Sequence, residues 1–494
     1  MGATLKTLTL CVALPAPAQS LAKRLDARLD APGLNRLLWG VAVTDTNGKL
    51  LYGRNADRLF TPASNTKLLV TSVATALLGP DFTVRTSLYG TGPIRDSVLE
   101  GNLILYGRGD PTFSRRCFAT DTSRTDVCER DPASQLARLA EQLRQRGIRT
   151  VAGDLIGDGS YFDTELIHPS WEIGDLAWWY AAPVSGLGFN DNSLDVRELG
   201  GDSAGTAARV TLSPDLGLGT LDNRAVTGPR GARRTFDILR SLDGVHYLAS
   251  GVIPAGASPR TEYLAVADPN LFTALALRRE LLALGITVRG AIRSTVDSFT
   301  YQQARETPPL AEVTSRPFRE WIYPILNSSQ NWFAEMTLKQ LGRRFGKAGS
   351  WSEGLRVERR FLIDSMKIDS TQFAVEDGSG LASNNLVTPL AFTQLLRYMR
   401  AQPYFPTFES ALPVAGQSGT IKSRFLGTPV EGHVRAKTGT ISRVNSLSGF
   451  IDRPDGSQWI FSIQANHQAI GGTRMLAAID SVVVELGRTG RKPR

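Results

Sequence analysis

Phe60-Thr-Pro-Ala-Ser-Asn-Thr-Lys-Leu-Leu-Val-Thr-Ser-Val-Ala-Thr-Ala-Leu-Leu-Gly79 is the stretch on which the reading of this chain turns. Pro62 suits the start of a helix, and Gly79-Pro80 suits its stop. The residues between are apolar nearly all round, which predicts a helix buried on every side. Within it Ser64 and Lys67 stand three positions apart, so a helix puts them on one face and lets the amine approach the hydroxyl. A serine hydroxyl is a poor nucleophile until a base takes its proton. A lysine can be that base once desolvation disfavours its ammonium form. The unpaired N–H groups of a first helical turn also favour negative charge developing nearby. Spacing alone is a weak signal. Ser64 would serve equally as a helix cap, and Ser20-Leu-Ala-Lys23 repeats the spacing with nothing to support it.

Outward from that helix the chain divides by texture. Before it, Trp39-Gly-Val-Ala-Val-Thr-Asp and Lys49-Leu-Leu-Tyr-Gly flank Asn47-Gly48, the strongest short signal for a β-hairpin. From about Thr83 to Ser298, short alternating strands such as Val98 to Tyr106 are broken by two helical stretches, Ser134 to Gly147 and Asn270 to Gly285. Both stretches end in Gly-Ile followed by a β-type run, which suggests a pseudo-repeat in one inserted region. A Gly-rich, strand-rich unit nests inside it near residues 194–255. Helical patterning returns at Leu310 to Leu326, Trp332 to Phe345, Trp351 to Leu362 and Pro389 to Ala401. Strands follow at Gly432 to Lys437, Val444 to Ile451 and Gln458 to Gln464, with a last helix from Arg474 to Gly487. The expected architecture is an interrupted α+β domain (residues 19–88 and 306–494) around an insertion (89–305).

With 494 residues the chain exceeds one ordinary core. Its 42% hydrophobic and 21% charged residues describe a folded protein, and 47 Gly with 26 Pro describe many turns. The net charge of +9 suits an anionic cell wall or membrane surface. The basic residues are scattered outside the short tail Arg491-Lys492-Pro493-Arg494, which argues against nucleic acid. Residues 1–18 read as an export signal: Lys6, an apolar run from Leu8 to Leu14, then Ala16-Pro17-Ala18. Bulky Leu10 before Cys11 argues against a lipoprotein signal. No later stretch reaches membrane-span length. Cys117 and Cys128 bracket a polar, turn-like segment; they are compatible with a local disulfide in an oxidising compartment and equally with two free thiols.

Two further motifs carry chemistry. Lys437-Thr438-Gly439-Thr440 lies in a β-type segment and is the only Lys-Thr-Gly or Lys-Ser-Gly triplet in the chain. A strand edge there can present a backbone N–H to an oxyanion, a threonine hydroxyl to a carboxylate, and a lysine charge behind them. Its glycine lets a substrate backbone come close. The bland alternative is the end of a hairpin. Ser329-Gln330-Asn331 sits on a loop before a helix, where a hydroxyl and an amide could relay a proton and hold a substrate amide. Ser383-Asn384-Asn385 fits the same pattern, and either could simply cap a helix.

Serine with lysine, then serine with asparagine, then the Lys-Thr-Gly strand, in that order, form a composite. The sequence resembles the penicillin-binding protein and serine β-lactamase superfamily. More narrowly, it resembles the low-molecular-mass class C D-alanyl-D-alanine carboxypeptidase/endopeptidase family. The likeness spans nearly the whole chain, through Gly107-Arg-Gly-Asp-Pro-Thr-Phe113, Phe189-Asn-Asp-Asn192, Ser329-Gln-Asn-Trp-Phe-Ala-Glu335, Asp377-Gly-Ser-Gly-Leu381, Ser418-Gly-Thr-Ile-Lys-Ser-Arg-Phe425 and Ser446-Leu-Ser-Gly-Phe450. The long insertion between Ser64 and Ser329 is itself a family feature. Gln330 departs from it, the family more often having Asp at that undemanding middle position.

The resemblance implies an α/β/α sandwich on an antiparallel sheet, interrupted by the insertion. It implies a serine DD-peptidase that works outside the cytoplasm, periplasmic or otherwise extracytoplasmic, on D-Ala-D-Ala ends or cross-links of peptidoglycan stem peptides. Ser64 would be the nucleophile and Lys67 its base. Ser329 and Lys437 would protonate the leaving amine, and Asn331 would hold the substrate. Thr438 would bind the terminal carboxylate, and the N–H groups of Ser64 and Thr440 would form the oxyanion hole beside Gly439. Asp175, after Trp171, corresponds to an acidic residue near the site that would meet a basic side chain. β-Lactams would acylate Ser64. No cofactor or metal is implied: His168, His246, His433 and His467 are scattered, without metal-ligand spacing. A homo-oligomer stays open.

Two rival readings keep the fold. A serine β-lactamase commonly shows a Glu-x-x-Leu-Asn motif, which is absent here, and lacks the insertion. A non-catalytic wall-binding protein would be expected to have lost Ser64, Lys67 or Lys437. Gly201-Asp-Ser-Ala-Gly205 matches the nucleophile elbow of α/β-hydrolases, but a strand-like run follows it where that motif needs a helix, so it reads as a turn.

Overall fold

A computed structural model describes residues 20–119, 128 and 131–488. The expected export signal, the basic tail and most of the segment between the cysteines lie outside the described residues. The scaffold is a five-stranded, wholly antiparallel sheet in the order Leu50–Arg54, Leu38–Asp45, Gln458–Asn466, Val444–Asp452, Val434–Ile441. The predicted hairpin is there, and Asp45 Oδ1 organises its turn by accepting from the backbone N–H groups of Asn47 (2.9 Å) and Lys49 (2.8 Å). Helices cover both faces of the sheet, as expected for the sandwich. Leu25, Leu29, Ile479 and Val483 pack on one face, from helices Leu21–Leu29 and Gly472–Leu486. Leu68, Val70, Phe392 and Leu395 pack on the other, from helices Lys67–Leu77 and Pro389–Arg400.

Helix Leu21–Leu29 was not expected from the sequence, its charged surface hiding the short apolar stripe. Ser20 caps it, accepting from Lys23 N at 3.4 Å, which is the whole meaning of the second Ser-x-x-Lys spacing. Arg24 and Arg28 each reach Glu485 at 2.7 Å, tying this helix to the last one.

The stretch from Phe60 to Gly79 is helical and buried as predicted, but the α-helix starts later than Pro62. A 3-10 turn at Ala63–Thr66 leads into Lys67–Leu77, which is buried from Lys67 through Thr75. The continuous helix expected over Leu310 to Leu326 is a strand, Ala311–Thr314, followed by helix Phe318–Leu326. Two forces override the pattern. The residue before Pro317 is pushed out of helical geometry, and Ala311–Thr314 finds a partner in Arg85–Gly90.

In the insertion, the chain leaves through Arg85–Gly90 and returns through Ala311–Thr314, adjacent strands of a second five-stranded sheet. The two Gly-Ile units prove to be physical neighbours. Helices Ser134–Gln145 and Pro269–Ala283 pack together, and their following strands pair in parallel, Thr287 with Thr150 and Ile292 with Leu155. The nested unit supplies smaller sheets, and one of them, Arg209–Ser213, Ser193–Leu199, Arg260–Ala265, takes its last strand from beyond residue 255. Ser203 of the false elbow lies exposed in the turn between the first two of these. Of the two alternatives for the cysteines, the structure has the disulfide Cys117–Cys128. Among the described residues no helix is long and apolar enough to cross a membrane.

Candidate active site

The Pro62–Ser64 turn is wedged against the sheet edge. Ala63 takes a left-handed conformation (φ 49°), which swings Ser64 into the 3-10 turn ahead of the helix. Ser446 Oγ donates to Pro62 O at 2.6 Å and Asn65 Nδ2 to Ser448 Oγ at 2.7 Å, pinning the turn to strand Val444–Asp452. The edge strand Val434–Ile441 closes over it at Gly439. A Cβ on that residue would lie 2.2 Å from Ser446 Oγ, 2.5 Å from Pro62 O and 3.0 Å from Ser64 N. The missing side chain therefore makes room for the protein's own serine turn. The glycine thus admits a neighbouring turn of the same chain where the sequence alone suggests a substrate backbone.

Lys67 Nζ is buried and lies 2.9 Å from Ser64 Oγ, 2.6 Å from Asn331 Oδ1 and 2.6 Å from the Ser379 carbonyl. A neutral amine has two N–H donors and one lone pair. With Asn331 and Ser379 offering only acceptors, both donors are committed and the lone pair is left for the Ser64 hydroxyl. Burial supplies the neutral form: it pushes Lys67 down to about 7, against the opposing pull of Asp377 and Glu335. Three elements converge here, because Asn331 opens helix Asn331–Phe345 and Ser379 lies in the turn after Asp377.

Ser329 also sits in the left-handed region (φ 62°), which turns its hydroxyl to Lys437 Nζ at 2.7 Å. Lys437 Nζ also donates to the Thr438 carbonyl at 2.7 Å. Burial, then the neighbouring Lys67 charge, hold Lys437 well below the ordinary lysine range. Ser64, Ser329, Thr420, Thr438 and Thr440 line one cleft of about 260 Å³. Asp175 stands apart. Its carboxylate accepts from Tyr180 Oη at 3.0 Å, and the Tyr180 carbonyl accepts from Asn331 Nδ2 at 2.8 Å, so its tie to the site runs through one tyrosine.

Several residues of the neighbouring motifs support the site. Thr420 Oγ1 pairs with Thr438 Oγ1 at 2.8 Å. Glu335, one helical turn beyond Asn331, accepts from Ser379 N (2.7 Å), Gly378 N (3.0 Å) and Trp351 Nε1 (2.8 Å), and so holds the turn whose carbonyl holds Lys67. Its i, i+4 spacing from Asn331 was the available signal. Asp377 accepts from Gly380 N, Ala382 N and Trp171 Nε1 in the same turn. Gly380 abuts the serine turn, and a Cβ there would come within 1.9 Å of Ala63 O. The middle position of Ser329-Gln330-Asn331 is not undemanding. Gln330 is fully buried, caps the following helix by accepting from Trp332 N (3.1 Å) and donates to Asp191 Oδ2 at 2.8 Å. Ser383-Asn384-Asn385 serves that acidic turn instead, with Asn385 Nδ2 donating to Asp377 Oδ1.

Comparison with known proteins places this geometry in a family. The model of the D-Ala-D-Ala carboxypeptidase 3 (S13) family matches residues 21–486. A D-alanyl-D-alanine carboxypeptidase of Actinomadura sp. (strain R39) is 33% identical over 498 residues, covering 97% of this chain and 88% of that protein. The D-alanyl-D-alanine carboxypeptidase DacB of Haemophilus influenzae is 22% identical over 423 residues, covering 85% of this chain and 83% of its own. The crystal structure of penicillin binding protein 4 (dacB) from Haemophilus influenzae superposes with a TM-score of 0.79 at 22% identity, over 94% of this chain and 98% of that one, so the fold is the penicillin-binding one. The chain belongs to the D-Ala-D-Ala carboxypeptidase 3 (S13) family of serine peptidases.

Proposed function

We propose that this family S13 serine peptidase removes the terminal D-alanine of peptidoglycan stem peptides, and opens D-Ala cross-links, through an acyl-enzyme on Ser64. The observation that carries the assignment of the nucleophile is the 2.9 Å contact between Ser64 Oγ and a buried amine whose other partners are both acceptors. Neutral Lys67 takes the hydroxyl proton as Ser64 Oγ bonds to the carbonyl carbon of the penultimate D-alanine. The N–H groups of Ser64 and Thr440 receive the oxyanion, each such donor contributing about 3 kcal/mol to lowering the barrier. The C–N bond breaks as the leaving nitrogen takes a proton from Lys437 by way of Ser329. Asn331 holds the substrate amide, and Thr438, beside Gly439, seats the terminal carboxylate. Water then attacks the ester, its hydroxyl staying on the acyl carbon and its proton going to Ser64 Oγ as the ester bond breaks. The proton that Lys67 took passes to Lys437, which restores both amines. Asp175 meets a cationic group on the stem peptide.

β-Lactams, by the same logic, acylate Ser64 as substrate mimics. No cofactor is needed for any step. The disulfide Cys117–Cys128 supports an extracytoplasmic place of action. The division into a catalytic domain (19–88 and 306–494) and an inserted region (89–305) is part of the same proposal, supported by the cluster under the outer face of the main sheet, to which, among the described residues, only the first contributes. Strand Ala311–Thr314, on the sheet of the insertion, belongs with the inserted region.

The test is mass analysis of muropeptides after incubation with wild type and Ser64→Ala. Wild type is expected to shorten pentapeptide stems by one alanine and to form a persistent adduct with fluorescent penicillin; the variant is expected to do neither. Hydrolysis surviving in Ser64→Ala removes Ser64 as nucleophile. Rapid loss of the penicillin label with no muropeptide cleavage would mean a β-lactamase.

A further inference from the structure

A second cleft lies across the Asn327–Ser329 segment from the first. Ser329 lines the catalytic cleft, whereas Asn327 and Ser328 line the other, together with Arg115, Arg116, Trp179 and Tyr323. The segment is a shared wall, braced from the catalytic side by Thr420 N donating to Asn327 O at 3.1 Å. The second cleft measures about 520 Å³ against 260 Å³ for the catalytic one. That size falls in the range of clefts that hold a drug-sized ligand.

Part of its lining is a motif to which the proposed chemistry assigns nothing, Phe189-Asn-Asp-Asn192. Asn190, Asp191 and Asn192 all adopt positive φ (50°, 55° and 51°). Backbone of that kind persists only where the surroundings over-determine it, and it concentrates at binding sites. Here Asp191 accepts from Ser114 Oγ (2.6 Å), Arg116 Nε (2.6 Å) and Gln330 Nε2 (2.8 Å). Arg116 is thereby fixed with its guanidinium 5.4 Å from the centre of the Trp179 ring. Among the described residues only its Nε is committed, to Asp191, and the terminal N–H groups meet no acceptor there. Arg115 is similarly anchored, through Nη2, on Asp195 (2.5 and 2.7 Å).

We infer that this cleft seats the carboxylate-bearing peptide stem attached to the leaving amine when the substrate is a cross-link. The inference rests on the reading of Ser329 and Lys437 as the groups that protonate that amine. A departing D-alanine is small, and its carboxylate is met at Thr438. A cross-link instead leaves with a whole second stem on its nitrogen, and that stem must run past Ser329 into whatever lies beyond. Pre-oriented guanidinium groups match carboxylates in geometry and charge, and the Trp179 and Tyr323 rings offer flat walls to peptide groups. The bonds made and broken are those of the carboxypeptidase step; the only difference is what the nitrogen carries away.

The experiment compares kcat/KM for a monomeric pentapeptide muropeptide and for a cross-linked dimer, in wild type, Arg115→Gln and Arg116→Gln, with penicillin acylation rates alongside. The dimer-to-monomer ratio is expected to fall about tenfold or more in each variant, through KM, as loss of one charged hydrogen-bonded contact predicts. An unchanged ratio in both variants overturns the inference, as does equal loss on both substrates. Arg115 has its side chain 41% exposed and does not touch Asp191, so its variant folds even if Arg116→Gln disturbs the Asn190–Asn192 backbone. A wild type that cleaves monomer but not dimer sinks this inference and leaves Ser64 standing. A wild type that forms no penicillin adduct sinks the Ser64 reading itself.

Discussion

Replacing Gly439 with alanine tests whether the edge strand and the serine turn are held at a distance that chemistry needs. The new Cβ would lie 2.5 Å from Pro62 O, where a carbon–oxygen contact needs roughly 3.4 Å. Strand and turn must then part by roughly 0.9 Å, because two of the three obstructing atoms are backbone and cannot rotate away. The proposed oxyanion donors sit one on each side of that seam, Ser64 on the turn and Thr440 on the strand. A displacement near 1 Å at a reacting centre costs about a hundredfold in rate, or about 2.7 kcal/mol of barrier. The second-order rate of acylation by fluorescent penicillin, read by stopped flow or gel, is expected to drop by about that factor. Gly472→Ala is the matched control, since among the described residues nothing lies within 4 Å of a Cβ built there. Adding Ser446→Ala to Gly439→Ala should not restore the rate, because Pro62 O and Ser64 N remain in the way. An acylation rate for Gly439→Ala within threefold of wild type would refute the reasoning.

Acylation should also carry the titration of Lys67, pushed down to about 7 by burial. On the proposed mechanism the active form is the neutral amine, so the rate rises with pH through that value. Glu335, itself pushed up to about 7 by burial and then by Asp377, carries part of a negative charge that favours the ammonium, so Glu335→Gln should move the midpoint of this limb to lower pH; a midpoint moved upward contradicts the assignment of Lys67 as base. Glu358 is fully buried with neither carboxylate oxygen hydrogen-bonded among the described residues, and burial pushes it up to about 8. Because its folded value lies above its unfolded 4.5, the folded state holds the extra proton, and stability falls as pH rises between these values, by about 1.4 kcal/mol per unit for that group. Glu358→Met should raise the melting temperature measured at pH 8 and flatten this dependence; a lower melting temperature at pH 8 would show that the carboxyl has a partner.

The sandwich core was legible because its elements obey local rules: Asn47-Gly48 marks a hairpin, and the run from Phe60 to Gly79 is too apolar for any place but the interior. The strand Ala311–Thr314 was not, since its conformation is decided by a partner, Arg85–Gly90, over two hundred positions away. At the site, Ser64, Lys67, Ser329, Asn331 and Lys437 stood out because their residue types and spacing imply chemistry. Glu335, Asp377 and Gln330 act by holding backbone turns and Thr420 by pairing with the Thr438 hydroxyl; apart from the i, i+4 spacing of Glu335 from Asn331, such work leaves no periodic trace in the residues that do it. Gly439 was noticed for the wrong neighbour. A missing Cβ announces that something comes close, but only packing says what.

The order of the main sheet has a consequence for how activity first appears in a newly made chain. Strand Leu38–Asp45 has Gln458–Asn466 for its inner neighbour, with Leu38 opposite Asn466, so the earliest strand waits for one of the last. Until the late strands Val434–Ile441 and Val444–Asp452 dock, the serine turn has neither Gly439 nor Ser446 to rest on. Non-local pairing of this kind is slow to nucleate. A chain stopped short of its final strands therefore has no partial hydrolase to offer, and a growing chain cannot be acylated by penicillin before synthesis is all but complete.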